Sequence, residues 1–294
     1  MERVHDFIEG EILAFDKPLT WTSFNLVKAV RNNLSRRLGI KRLRVGHAGT
    51  LDPLASGVLL LCTGKCTKQI DQLQAGTKEY IATIRLGYTT LSFDAEHPID
   101  GTYPVEHITE ASVHEALSHF KGSIWQVPPT LSAVKVEGRR AYDFIRQGEE
   151  VELKAKELVI DELELLDLHL PAQGITSPHA EEMARIARAG INIKEYGRDK
   201  EQYEIAEAED IDPAKLSYLQ IRVVCSKGTY IRALARDIGK ALGSGGYLIS
   251  LRRTRIGDYR IEDCMTADHV EEWCKTVPIT LEHVIARDDR NPEL

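Results

Sequence analysis

The 294-residue chain predicts an α+β fold. Strand-like runs and amphipathic helical stretches alternate irregularly, which disfavours a doubly wound parallel sheet. The gaps between them include hairpin-length ones as well as longer ones. A composition of 43% hydrophobic and 28% charged residues is that of a chain with a packed core, neither disordered nor fibrous. The length allows one large domain or two ordinary ones, and with no internal repeat or low-complexity linker the expectation is a single domain over 1–294.

The elements follow in order. The N-terminus, MERVHDFIEGEILAF, interleaves acids with apolar residues and is no signal peptide. Residues 24–38 read as an amphipathic helix, entered from the Thr22-Ser23 cap signal and stopped by Gly39. Residues 58–62 form the longest apolar run, a strand far too short to cross a bilayer, and 80–86 (YIATIRL) read as a second strand. A helix is expected at 109–120. Residues 219–225 read as a strand ending at Ser226-Lys227-Gly228. The helix at 230–242 has Ile231, Leu234, Ile238 and Leu242 as its apolar stripe. Between these, 170–216 carries Pro171, Gly174, Pro178, Gly190, Gly197 and Pro213 with weak periodicity, and is expected to be a surface insertion with one short helix at 179–189.

The net charge of −7 argues against an anionic partner only if it is evenly spread, and it is not. Residues 36–44 hold five bases (Arg36, Arg37, Lys41, Arg42, Arg44) and no acid, and 222–260 hold nine bases against Asp237 and Asp258. Acids collect in 171–210 and beyond Ile261. Local field decides phosphate binding, so an anionic partner is permitted, although basic runs also serve as solvated faces. Five irregularly spaced cysteines fit reduced thiols of the cytosol. Cys62 and Cys66 lack a second ligand pair at zinc spacing and read as buried thiols.

Few stretches suggest chemistry. Gly57 to Lys65 ends like a phosphate-binding loop, but its glycine spacing is wrong and Cys66 stands where a Ser or Thr is needed. His107, His114 and His119 lack the spacing of a zinc hydrolase, and no Gly-x-Ser-x-Gly elbow is present. More telling is GHAGTLDPLASGVLLLCTG, Gly46 to Gly64, which sets a lone carboxylate, Asp52, before an apolar run. Asp-Pro is an ordinary turn former, so the question is what else needs a carboxylate there. Arg232 falls in the first turn of its helix, where the macrodipole disfavours a cation. It either snorkels to solvent or holds a carboxylate or phosphate.

Five stretches together resemble the bacterial tRNA pseudouridine-55 synthases, the TruB family. They are GHAGTLDPLASGVL, KEY from Lys78 to Tyr80, QVPPTLSAVKVEGRRAYDFIRQG from Gln126, CSKGTYIRALARDIG from Cys225 and LRRTRIG from Leu251, in that family's order. The resemblance implies the pseudouridine synthase fold, a mixed, mostly antiparallel central sheet flanked by helices. It implies that Asp52 is catalytic, that His47 lies beside the site where the flipped base leaves space, and that Tyr80 stacks on the uracil. It also implies that Arg232 pairs with the catalytic Asp, that Leu251 lines the pocket's apolar wall, that Lys78 joins the substrate-binding set, and that 126–148 is a mobile, thumb-like segment closing over RNA. Two departures stand out: the family's Lys-Pro-x-Gly reads Lys17-Pro18-Leu19-Thr20, and the 170–216 insertion is long. Only a short tail follows Tyr259, so no C-terminal RNA-binding accessory domain is expected.

The implied reaction cleaves the N1–C1′ bond of uridine, rotates the base and rejoins it through C5. It involves no redox change or hydrolysis, so no cofactor and no metal is expected. It needs a carboxylate, as nucleophile or as base on the sugar, and both roles stay open. Leu54, Val58 and Leu59 would keep water from the detached sugar. Burial would raise the Asp52 pKa, and a paired Arg⁺ would lower it again. Flipping the target base costs a few kcal/mol, of which Tyr80 stacking recovers about 1–3 kcal/mol. The basic stretches 36–44 and 139–146 would track phosphates. The expected partner is thus the T-arm stem-loop of tRNA, with no membrane and no guide RNA, for a cytoplasmic monomer. The alternatives are a tRNA-folding RNA chaperone and a guide-RNA-dependent synthase.

Overall fold

In ILAFDK, Leu13, Phe15 and Lys17 alternate with more exposed residues, so β1 (Ile12–Lys17) buries one face. The structure, a computed structural model, describes residues 3–195, 201–207 and 211–283. The chain divides into two compact units, residues 1–76 with 253–294, and residues 77–252.

The first unit continues through α1 (Ser23–Arg37), β2 (Val45–Ala48), β3 (Ala55–Thr63) and the short α2 (Ile70–Ala75). The Thr22 hydroxyl accepts the Asn25 N–H at 3.0 Å and starts α1 where the cap signal placed it. At the other end Gly39, at φ +66°, donates its N–H to the Arg36 carbonyl and turns the chain away. Leu26, Val27, Val30 and Leu34 of α1 bury against Leu13, Phe15, Leu59 and Leu61. Val58 and Leu60 face a different cluster, with Ala48 and Ile256. Strand β3 is therefore buried on both sides, which is why its sequence is a continuous apolar run without period two.

The second unit opens with β4 (Lys78–Leu86), β5 (Tyr88–Thr90), β6 (Ile99–Thr102), α3 (Glu110–Ser118) and β7 (Gly122–Gln126). The hairpin β8 (Lys135–Val136) and β9 (Arg139–Arg140) follows, then α4 (Ala141–Arg146), the long β10 (Lys156–His169) and α5 (Ala180–Arg188). After the hairpin β11 (Ala189–Glu195) and β12 (Glu201–Glu207) come β13 (Tyr218–Cys225), α6 (Ile231–Ala241) and β14 (Gly246–Ile256). The strand order here is β14-β4-β13-β10-β7. Strand β13 lies antiparallel between β4 and β10, and β7 is antiparallel to β10.

The end of β14, from Arg253, belongs to the first unit, which closes with β15 (Tyr259–Arg260), β16 (Met265–Thr266) and α7 (Val270–Thr276). Its strand order is β16-β1-β3-β14. Strands β1 and β16 are parallel, whereas β1–β3, β2–β3 and β14–β15 are antiparallel. The sheet is mixed and mostly antiparallel, with helices on it, as the α+β reading expects.

Two expectations change. The helix expected within 170–216 is α5, yet the segment is more than a surface insertion. Met183, Ala184 and Ala187 of α5 are buried with Leu216, Tyr218 and Tyr247. That stripe is confined to one short helix, so the glycines and prolines around it flatten the periodicity of the whole segment. Residues 196–200 and 208–210 of it lie outside the described residues. Cys62 is a buried thiol, but Cys66 is only partly buried.

Candidate active site

Asp52 sits on the turn that joins β2 to β3. Its carbonyl accepts the Ala55 N–H at 3.0 Å, closing a turn over Pro53-Leu54. The residue before it is held from both sides: Ser23 Oγ accepts the Leu51 N–H at 2.8 Å and donates to the Leu51 carbonyl at 3.1 Å. The first residue of α1 thereby fixes the backbone next to Asp52, whose side chain is half-buried. Val58 and Leu59 just beyond are fully buried and Leu54 partly so.

Two buried cations complete this part of the site, and neither was singled out in the sequence. Lys17 is fully buried, and its Nζ donates to the carbonyls of Pro18 at 2.8 Å and Trp21 at 2.6 Å. Burial brings its pKa down to about 7 and the Arg253 charge adds to that, while Asp52 and Asp16 oppose it. Its signal was its inward position in β1, in step with Leu13 and Phe15. Arg253, 1% exposed, donates to three carbonyls, those of Val58 at 2.8 Å, Gly49 at 3.1 Å and Thr50 at 3.5 Å. One guanidinium thus ties the loop leading to Asp52 onto β3. The close approach depends on Gly57, at φ +108°, where a Cβ would meet the Arg253 carbonyl oxygen at 2.1 Å. Nothing in LRRTRIG separates Arg253 from Arg252 and Arg255, because the distinction is one of packing.

His47 lies in β2 opposite Leu61. Burial first, and the Arg253 charge second, hold its pKa below the usual histidine value, favouring the neutral ring. Its Nδ1 is buried and makes no hydrogen bond among the described residues. Thr20 resolves the departure in Lys17-Pro18-Leu19-Thr20. It adopts φ +67°, the left-handed conformation that glycine takes without penalty, and its N–H donates to the Pro53 carbonyl at 2.8 Å. The glycine-type turn is therefore kept, at a cost of about 1–2 kcal/mol for a side chain in that region. Thr20→Gly is expected to stabilise the protein by about 1 kcal/mol, part of that relief being offset by the entropy of glycine. Urea unfolding checks this, and a lowered midpoint would count against it.

The remaining candidates lie in the second unit. Lys78 and Tyr80 are in β4 opposite Cys225 and Val223, and both are buried. Leu251 is in β14 and half-buried. Arg232 does not snorkel: it is 6% exposed. Its Nη1 donates to the Ser92 carbonyl at 3.1 Å and its Nη2 to the Leu131 carbonyl at 3.0 Å, while Nε stands 3.6 Å from Asp94 Oδ2. Asp94, 4% exposed, also accepts from the Ser92 hydroxyl and, at 3.0 Å, from the Glu96 N–H. Sequence reading missed Asp94, which lies 138 residues before its arginine and belongs to no motif. The expected partner of Arg232, Asp52, belongs to the other unit; the carboxylate met within its own unit is Asp94.

The 126–148 segment starts from the same helix. Gln126, 1% exposed, accepts the Tyr230 N–H at 2.9 Å and donates to the Tyr230 carbonyl at 3.2 Å. Arg236 holds the Val127 carbonyl at 3.0 Å. Beyond this base the segment is the β8–β9 hairpin and α4, with the Arg139 guanidinium 4.0 Å from the Phe144 ring centroid. Among the described residues, no group of three or more His, Cys, Asp or Glu is placed to hold a metal ion, and no helix is long and apolar enough to cross a membrane.

The fold is shared with solved structures of ribonucleoprotein particles. The archaeal box H/ACA sRNP Nop10-Cbf5 complex matches with a TM-score of 0.52 and 21% identity, over 91% of this chain and 54% of that one. An H/ACA RNP bound to a substrate RNA containing 2′-deoxyuridine matches with a TM-score of 0.53 and 22% identity, over 92% and 56%. The chain spans little more than half the length of those solved chains, and at such identities the likeness defines a class, the pseudouridine synthase fold.

The particular family comes from sequence. Residues 35–179 match the TruB family pseudouridylate synthase N-terminal domain, and 232–286 match the tRNA pseudouridylate synthase B C-terminal domain. The tRNA pseudouridine synthase B of Bacteroides thetaiotaomicron is 53% identical over 91% of this chain and 94% of that protein. Its namesake from Parabacteroides distasonis is 51% identical over 94% and 98%. The chain belongs to the TruB family of pseudouridylate synthases.

Proposed function

We propose that this protein isomerises uridine 55 in the T arm of tRNA to pseudouridine, as a cytoplasmic monomer without a guide RNA, and that Asp52 is the catalytic carboxylate. The observation that carries the reading is the Asp52 turn. A family-specific Gly-Thr-Leu-Asp-Pro loop is bonded to α1 through Ser23, to β3 through Arg253 and to the Lys17–Trp21 turn through Thr20. A carboxylate that must reach one atom of a ribose needs such fixing, because a misplacement of about 1 Å costs on the order of 100-fold in rate.

The chemistry assigns the other parts. Asp52 acts on the sugar while the N1–C1′ bond breaks, and the buried apolar residues after it keep water from that carbon. His47, held towards the neutral form, can occupy the space beside an extruded base without adding charge. Tyr80 stacks on the uracil, Lys78, Arg232 and Leu251 contribute to substrate binding, and the 126–148 segment closes over the RNA. These roles are carried over from the family likeness onto the matching positions.

The test is tritium release from a T-arm stem-loop carrying 5-tritiated uridine, using the purified chain alone. C5 loses its hydrogen when pseudouridine forms, so release approaching one tritium per target uridine is expected. No release from the stem-loop or from full-length tRNA would reject the reading, and release only when a guide RNA is added would favour the guide-dependent alternative.

A further inference from the structure

We propose that the cleft at the C-terminal half of α1 is a phosphate-backbone site for tRNA, separate from the place where uridine is isomerised; this rests on the tRNA reading above. The cleft is open, with a volume of about 560 Å³, and Arg31, Asn32, Ser35, Arg36, Lys41 and Arg42 line it. Four of these are cations and none is an acid. The cleft is built and not a chance of long side chains. Ser35 is buried, its Oγ accepts the Leu43 N–H at 2.8 Å, and its carbonyl accepts the Ile40 N–H at 3.1 Å. These bonds fold the chain after the helix back on α1, so that Lys41 and Arg42 share a cleft with Arg31 and Arg36.

Charge sets this place apart. Several bases elsewhere are countered: Lys65 by Glu9, Arg139 by Glu149, Arg222 by Glu79, Glu162 and Glu164, and Arg236 by Asp237. Among the described residues no carboxylate pairs with Arg31, Arg36, Lys41, Arg42 or Arg44. The negative end of the helix dipole accounts for Arg36 and Arg37 in the last turn of α1, and Arg37 is engaged with the Cys274 carbonyl at 2.9 Å. It does not account for Arg31, or for Lys41, Arg42 and Arg44 beyond the helix. Arg31 lies 5.5 Å from the Phe24 ring centroid, but clustered like charges still repel one another. A polyanion is the complementary ligand, and guanidinium forks suit phosphate oxygens.

Position separates this site from the chemistry. The Asp52 loop is bonded to Ser23 at the start of α1, whereas Arg31 and Arg36 lie about 12 Å and 20 Å further along the helix at 1.5 Å per residue. A nucleotide turned out onto Asp52 cannot also fill the cleft, so its ligand is backbone several nucleotides away.

The test compares wild type with Arg36→Gln/Lys41→Gln/Arg42→Gln, and with Lys121→Gln/Lys240→Gln as a control for charge removed elsewhere. Affinity for unmodified tRNA transcript is measured across a potassium chloride series, with kcat and KM from tritium release and thermal unfolding alongside. The triple variant is expected to lose about 2–3 from the slope of log affinity against log salt, and about tenfold or more in affinity near 100 mM salt. Its kcat at saturating tRNA and its unfolding temperature should match wild type. An unchanged slope and KM, a fall in kcat, or an equal loss in the control would overturn the proposal. Wild type releasing no tritium would instead mean that the tRNA reading has failed.

Discussion

Asp52→Asn is expected to abolish isomerisation while leaving the fold and the affinity for tRNA close to wild type. Asn has nearly the shape of Asp, so the turn closed by the Asp52 carbonyl and the Ala55 N–H is undisturbed, as are the Ser23 bonds to Leu51. What is lost is the anion, and an amide is neither nucleophile nor base at neutral pH. Lys17 loses one of the two charges that favour its protonated form, so its pKa should move further down from about 7, with little consequence for stability. Tritium release and a gel shift on one preparation separate chemistry from binding. Residual turnover above a few per cent of wild type would remove Asp52 from its assigned role.

Arg232→Met is expected to destabilise the protein by about 3–5 kcal/mol, the cost of leaving a buried charge without its partner. The helix dipole alone suggests a smaller effect, since a cation in the first turn of α6 is poorly placed and its removal should change helix stability little. The structure overrides that expectation. Arg232 is buried, faces the buried Asp94 and satisfies the carbonyls of Ser92 and Leu131. Methionine fills much of the volume and satisfies none of them. If the stranded Asp94 carboxylate is the main cost, Arg232→Met/Asp94→Asn should recover part of the lost stability in urea unfolding. A single variant within 1 kcal/mol of wild type, or a double variant less stable than the single, would contradict this account.

What was legible in the sequence follows from where each signal is local. Helix α1 announced itself through Thr22, its apolar stripe and Gly39, and β3 through its unbroken apolar run. Asp52 was visible as an isolated charge in apolar company, and the family likeness gave it a role. Lys17 could have been read from the alternation of β1. Asp94 and Arg253 could not, because each acts through a partner far along the chain: Asp94 through Arg232, and Arg253 through carbonyls some 200 residues earlier. The apolar side of α5 was hidden by the turn residues around it, although Met183, Ala184 and Ala187 have helical spacing. The basic run 36–44 was visible as charge, but only the fold shows which of its members share a cleft with Arg31.

The central claim is that this chain, through Asp52, converts one uridine of tRNA, that at position 55, into pseudouridine. The most direct measurement maps pseudouridine at nucleotide resolution, by carbodiimide adducts and primer extension, on unmodified tRNA treated in parallel with wild type and Asp52→Asn. The account predicts a single stop marking position 55 with wild type and none with the variant. A stop at another uridine, or the same stop with Asp52→Asn, would contradict it.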